Sequence, residues 1–191
     1  MSNCTVRESN RGIALQIRDG GNVENVIFSN IAIQTRLFHD NWWGKGEPIH
    51  ISCIPRHGDS KLGVISNVLF SNIIAKAESG IYLFGHQKDN ITNVTFDTVA
   101  LTINKCTSYK GGIHDRRPSE LVEGLVDHPT SGIYCAHAQD ITFRNTRIRW
   151  GENIPDYFAH AFESHDMGGL ELDNFSGRSA FPDQIKAIVN S

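Results

Sequence analysis

The chain has 191 residues, with 18 Lys plus Arg against 21 Asp plus Glu and a formal net charge of −3. That near-balance argues against non-specific nucleic-acid binding, which requires a concentrated basic surface, and no apolar run reaches the roughly 18 residues of a membrane helix. Apolar residues form 39% of the chain and are spread along its length, enough to bury one continuous core. Residues 1–10 are polar and lack the apolar centre of a signal peptide.

Two kinds of strand alternate along the chain. Residues 12–16, Gly-Ile-Ala-Leu-Gln, are the first of one kind. Residues 23–31 are the first of the other, with the pattern apolar-x-Asn-Val-x-Phe-x-Asn-apolar. The first kind returns at 48–52, 80–84, 132–136 and 160–164. The second returns at 65–73, 91–99 and 138–146, and in weaker form at 167–175. Apolar residues such as Val26 and Phe28 recur with period two, so these are strands with one inward face.

The second kind closes on Asn30, Asn72, Thr98, Asn145 and Asn174, at spacings of 42, 26, 47 and 29 residues. Asn tolerates a left-handed backbone, and stacked Asn amides bond to one another. Spacings of 26 and 29 fit one coil of a parallel β-helix. Those of 42 and 47 fit a coil plus an inserted loop of roughly 15–20 residues. No long helical periodicity supports βαβ units, and a β-sandwich does not require the same motif in every repeat. The expected fold is an all-β solenoid of about five to six coils, a single domain over residues 1–191.

Stacking predicts columns. Ile13, Ile49, Ile81, Ile133 and Ala161 should point inward, and Ala14, His50, Tyr82, Tyr134 and Phe162 outward. Gln16, Ser52, Phe84, Ala136 and Ser164 should share that outer face. Two readings stay open for the His and Tyr of this column: a platform on which sugar rings stack, or aromatics covered by the inserted loops.

Cys4, Cys53, Cys106 and Cys135 form no C-x-x-C pair and are expected as buried free thiols, which favours a reducing compartment such as the cytoplasm. The localisation is otherwise undetermined. Nine histidines contain no H-E-x-x-H, and His160 and His165 do not match the i, i+4 ligand pair of a helix, so no metal site is expected.

The run Arg11-Gly12-Ile13-Ala14-Leu15-Gln16, followed by Gly20-Gly21-Asn22-Val23-Glu24-Asn25-Val26, resembles the later coils of glycoside hydrolase family 28, which includes the polygalacturonases. Trp42-Trp43-Gly44-Lys45-Gly46-Glu47-Pro48-Ile49 and Ile54-Pro55-Arg56-His57 are similar to bacterial members, and the likeness covers most of the chain. The resemblance implies a right-handed parallel β-helix and inverting hydrolysis by paired carboxylates. The family's Asn-Thr-Asp, Asp-Asp and Gly-His-Gly motifs are not in this sequence, so the chain corresponds to the C-terminal part of the family pattern and the catalytic residues are unassigned. The family's substrate-binding Arg and Lys would fall on the uncharged Ala14 and Gln16, which weakens polygalacturonate as the substrate.

The expected function is that of a family 28-like protein acting on a polysaccharide or oligosaccharide. The alternative is a non-catalytic carbohydrate-binding or structural β-helix that self-associates through an exposed coil end. No cofactor, nucleic acid or membrane is implied. Candidate substrate-binding residues are Gln16, Trp42, Trp43, His50, Tyr82, His86, Tyr134 and His137. Candidate carboxylates are Asp19, Asp40, Glu47, Asp59, Asp115, Asp156, Glu163 and Asp166. Arg116 and Arg117 are candidates for an acidic sugar.

Overall fold

The structure is a computed structural model that describes residues 1–41 and 44–191. It is all-β, with parallel strand pairing throughout its main sheet. The strands are β1 (Ser2–Ser9), β2 (Arg11–Ile17), β3 (Val23–Thr35), β4 (Glu47–Cys53), β5 (Ile65–Ala77), β6 (Ile81–Gly85) and β7 (Ile91–Ile103). A hairpin of β8 (Ile113–Asp115) and β9 (Leu125–Asp127) follows. β10 (Ile133–Arg144), β11 (Arg147–Trp150), β12 (Phe162–Asp173) and β13 (Ile188–Asn190) complete the chain.

Two parallel ladders organise these strands. One runs β2, β4, β6, β10, β12, β13, and the other runs β1, β3, β5, β7, β10, β12. β10 belongs to both. Residues Ile133 to Ala136 pair with β6, and Gln139 to Arg144 pair with β7. Around this junction the backbone bends at His137 and Asp140, both left-handed. The repeat Asn residues mark the same corners elsewhere: Asn25, Asn30, Asn67, Asn72, Asn93, Asn145 and Asn174 all have φ between 49 and 57°. Their side chains bond in register, Asn30 to Asn3 at 3.1 Å, Asn72 to Asn30 at 2.7 Å and Asn174 to Asn145 at 2.7 Å. The short amide thus serves twice, easing the left-handed corner and bonding to the strand beside it.

The core lies between the ladders. Phe28, Phe70, Phe96 and Phe143 stack in one column with ring centroids 5.0, 4.9 and 4.5 Å apart, close to the spacing of neighbouring strands. Ile13, Ile49, Ile81 and Ile133 form the inward column that the repeat predicts. The glycines that open this strand type sit under the backbone of the next repeat. A β-carbon on Gly12 would lie 2.2 Å from the Pro48 carbonyl oxygen, and one on Gly80 would lie 2.0 Å from that of Ser131.

The last repeat departs from expectation by one residue. Ile133 pairs with Phe162, not Ala161. Side chains alternate along a strand, so this slip reverses both columns. Phe162 is buried against Phe143, and the outward positions belong to Glu163 and His165 instead of Phe162 and Ser164. All four cysteines are free. Cys53 and Cys135 are buried as expected, whereas Cys106 is exposed because it lies in the loop after β7. Burial, and then the nearby Asp89 charge, push the Cys53 thiol up to about 12, so it is inert at neutral pH.

Candidate functional site

The outward column of the first ladder is a continuous ring stack. His50 lies 5.0 Å from Tyr82, and Tyr82 lies 5.4 Å from Tyr134. The β8–β9 hairpin folds over it. His114 sits 4.7 Å from Tyr82 and 4.5 Å from Tyr134. The Arg116 guanidinium lies 4.1 Å over the Phe84 ring, and its Nε donates to the Tyr82 hydroxyl at 3.0 Å. Tyr82 and Tyr134 are therefore only 3% and 6% exposed. Of the two readings left open for these aromatics, the described structure shows coverage by an insertion. Their faces are occupied by protein rings and are not presented to solvent.

A buried charge network anchors that cover. Arg11 donates to both Glu47 oxygens, at 2.9 and 3.3 Å, and to Asp115 of the hairpin at 3.1 Å. Asp115 also accepts the Gly44 N–H at 2.8 Å, tying the loop after β3 to the hairpin. His50 Nδ1 meets Glu47 at 3.2 Å, and Gln16 lies 3.4 Å from the other ring nitrogen. Burial opposes charge on Glu47, but Arg11 and His50 overcome it and hold the carboxyl well below its ordinary range. His50 is pushed down, by burial first and then by Arg11. Gln16, His50, Glu47 and Asp115 are thus joined in a structural knot in which His50, Glu47 and Asp115 are buried and Gln16 is half-buried.

A second carboxylate with the same anchoring role went unrecognised in the sequence. Glu78 is buried and accepts the N–H groups of Leu37, Cys106 and Thr107 at 2.6, 2.7 and 2.7 Å, and pairs with Lys105 at 3.0 Å. No motif marks it, because its partners come from two separate insertions.

Beside the covered column lies a cavity of about 920 Å³, lined among others by Arg18, Arg56, Arg117, Asp115 and Glu123. Arg18 donates to the Pro118 carbonyl, yet its Nε is buried without a partner. Burial, then the nearby Arg56 charge, lowers the Arg18 pKa; burial likewise lowers that of Arg117, with Arg11 and Arg18 adding to it. Of the carboxylates, Asp115 is already engaged by Arg11 and Gly44. Arg56 reaches Asp19 at 3.3 Å on the surface.

A further cluster joins the hairpin to the last repeat. His128 Nε2 lies 3.3 Å from Glu163 Oε1, and His165 Nε2 lies 2.8 Å from the same oxygen. Ser131 donates to the other Glu163 oxygen at 2.6 Å. Desolvation would raise the Glu163 pKa, but the bonds from His128, Ser131 and His165 outweigh it and hold the carboxyl at about 2. Burial works against the charge on His128, but Glu163 and the Pro129 carbonyl prevail and raise its pKa. His128 and Glu163 line a cavity of about 440 Å³ together with Asp156 and His160. A helical ligand spacing is the wrong template for this cluster. Glu163 and His165 are two apart on a strand, which puts them on one face.

The remaining candidates are scattered. His137 packs edge-on against Phe84 and pairs with Asp166, which also holds Lys88. His86 follows β6 and bonds through its backbone to Cys53. Asp40 accepts the Lys110 N–H at 2.6 Å, and Asp59 is exposed in a turn. Trp42 and Trp43 lie outside the described residues.

No family model matches the chain, and neither a curated protein nor a solved structure is similar enough to be matched.

Proposed function

We propose that the two ladders are faces of a right-handed parallel β-helix, similar to the C-terminal coils of glycoside hydrolase family 28, and that the chain binds an acidic polysaccharide. The arginine-lined cavity carries this reading. Arg18, Arg56 and Arg117 converge there, and one arginine nitrogen is buried unpartnered. An unmade charged hydrogen bond in a buried position is costly. A carboxylate-bearing sugar supplies the missing acceptor through the planar, bidentate geometry that guanidinium favours. The sugar platform thereby moves from the covered His50–Tyr82–Tyr134 stack to the arginines beside it. A more open groove of about 500 Å³, lined by Arg147, Arg149, Trp150 and Arg178, is a weaker candidate, since none of its arginines has a buried unpartnered nitrogen.

Calorimetric titration with uronate-containing and neutral oligosaccharides tests the reading. Uronate oligomers should bind, and Arg18→Gln and Arg56→Gln should each weaken them about 10–100-fold, the worth of one charged hydrogen bond. Equal affinity for neutral oligomers, or no effect of either variant, would sink it.

Hydrolysis is the second reading. Asp156 and Glu163 line one cavity, as a carboxylate pair should. Held at about 2, Glu163 is ionised at neutral pH and suits the base rather than the acid. Reducing-sugar release from an acidic polysaccharide, lost in Asp156→Asn, would establish it.

A further inference from the structure

We propose that His128, Glu163 and His165 form a binding site for a divalent transition-metal ion of the zinc class. One potential ligand atom from each of the three lies within 4.8 Å of the other two. Around a tetrahedral zinc with ligand bonds of about 2.0–2.1 Å, neighbouring ligand atoms sit about 3.3 Å apart. The His128–Glu163 separation of 3.3 Å already meets that value, and the 2.8 Å of His165–Glu163 needs to open by about half an ångström. Two imidazoles and one carboxylate are a donor set that selects zinc and its neighbours over magnesium or calcium, which prefer oxygen throughout.

The surroundings orient the donors inward. His128 Nδ1 faces the Pro129 carbonyl oxygen at 2.8 Å. A carbonyl only accepts, so Nδ1 carries the proton. In the neutral ring Nε2 then holds a lone pair, which points at the Glu163 carboxylate. Two acceptors face each other across 3.3 Å. Either a second proton or a metal ion must stand between them. His165 also has an outer partner, its Nδ1 lying 2.5 Å from the Ser191 hydroxyl, which can accept its proton, and its Nε2 turned to Glu163. Ser131 occupies one Glu163 oxygen and leaves the other for the shared position. Each donor therefore has an outer partner that fixes its direction, as metal ligands ordinarily do.

The site has an open side. His128 and Glu163 border the cavity of about 440 Å³, and the His165 side chain is about a third exposed. Three protein ligands leave a fourth position for water or for a group entering from the cavity. The ligands come from both sides of a junction, His128 from the insertion after β9 and the other two from β12. A bound ion would clamp the covering hairpin to the last repeat.

The test uses the purified chain, stripped with a chelator and titrated with Co²⁺ and then Zn²⁺. Visible absorption of bound cobalt reports the coordination, and a chromophoric chelator reports zinc affinity. One ion should bind per chain, with the intense bands of a four-coordinate site, and zinc should displace it. His128→Ala and His165→Ala should each lower zinc affinity by more than about 100-fold. Ser131→Ala should lower it about 10–100-fold by freeing the carboxylate. His86→Ala, at a histidine away from the cluster, should leave affinity unchanged. Zinc should raise the melting temperature of the parent chain and of His86→Ala, but not of His165→Ala. Binding weaker than millimolar would overturn the proposal. So would retention of parent affinity in either histidine variant, or an equal loss in His86→Ala. Glu163→Gln is the most direct variant. If it does not fold, the two histidine variants decide the matter, since His165 is partly exposed and its truncation leaves Glu163 bonded to His128 and Ser131.

Discussion

Replacing His114 with phenylalanine isolates one proton in the hairpin cover. The His114 ring is stacked among Tyr82, Tyr134 and His128 and is 7% exposed, and its Nδ1 has no partner. Burial, then the neighbouring His128 and Arg116, pushes its pKa from 6.5 down to about 3. The folded chain thus refuses a proton that the unfolded chain accepts below pH 6.5. Stability from this group is present above 6.5 and is lost as pH falls toward 3. Between pH 7.5 and 4.5 the loss comes to about 3 kcal/mol, from the two pH units below 6.5 over which only the unfolded chain takes the proton. Phenylalanine keeps a ring on the two tyrosines and has nothing to protonate. Urea denaturation of both proteins at pH 7.5, 6.5, 5.5 and 4.5 should show the variant gaining on the parent by about 3 kcal/mol across the series. Groups such as Glu163 and His128 titrate in both proteins and cancel in the difference. Stability curves that stay parallel within about 0.5 kcal/mol would refute the reasoning, because they would mean that His114 takes its proton as readily folded as unfolded.

Two further outcomes follow from the ladders. Phe96 lies between two rings and is fully buried, whereas Phe28 touches one ring and is slightly exposed. Phe96→Ala should cost about 4–5 kcal/mol in urea midpoints, about 1 kcal/mol more than Phe28→Ala, and the reverse order would contradict the stacking account. Asn72 has φ 56° and donates to Asn30. Asn72→Ala should lose about 1–2 kcal/mol and Asn72→Gly less than about 1 kcal/mol, since glycine restores the corner but not the amide bond. Equal losses in thermal melts would show that the left-handed corner carries no strain.

The repeated strands were legible because their information is local. Val26-x-Phe28 and its copies state period, face and corner within nine residues, and the ladder partners then follow from the repeat spacing. The last strand was misread where local information runs out. In His160-Ala161-Phe162-Glu163-Ser164 two adjacent apolar residues can each serve as the inward one. The choice falls to contacts far along the chain: Phe162 against Phe143, and Glu163 bonded to Ser131 and His128. The covering hairpin was invisible for the same reason. Residues 104–130 have no periodicity, and what directs them is burial of His114 on the tyrosines and the reach of Asp115 to Arg11. The histidine–carboxylate cluster combines both failures, one donor from the aperiodic insertion and two from the slipped strand.

The Asn contacts also carry a lesson about how the chain reaches this state. Their sequence separations are 27 residues from β1 to β3, 42 from β3 to β5, 26 from β5 to β7 and 29 from β10 to β12. Among the described residues, the small β8–β9 hairpin alone pairs strands that are close in sequence, across residues 116–124. Folding must therefore close large loops before a ladder bond rewards it, which favours slow, high-contact-order kinetics. Closure entropy grows only logarithmically, so lengthening a segment from 26 to 42 residues costs about 0.4 kcal/mol. The β5–β7 pair combines a short closure of 26 residues with the buried Phe70–Phe96 stack, which favours it as an early pairing from which the ladders grow. The same arithmetic frees the insertions, which can lengthen and diversify on this scaffold at almost no thermodynamic expense.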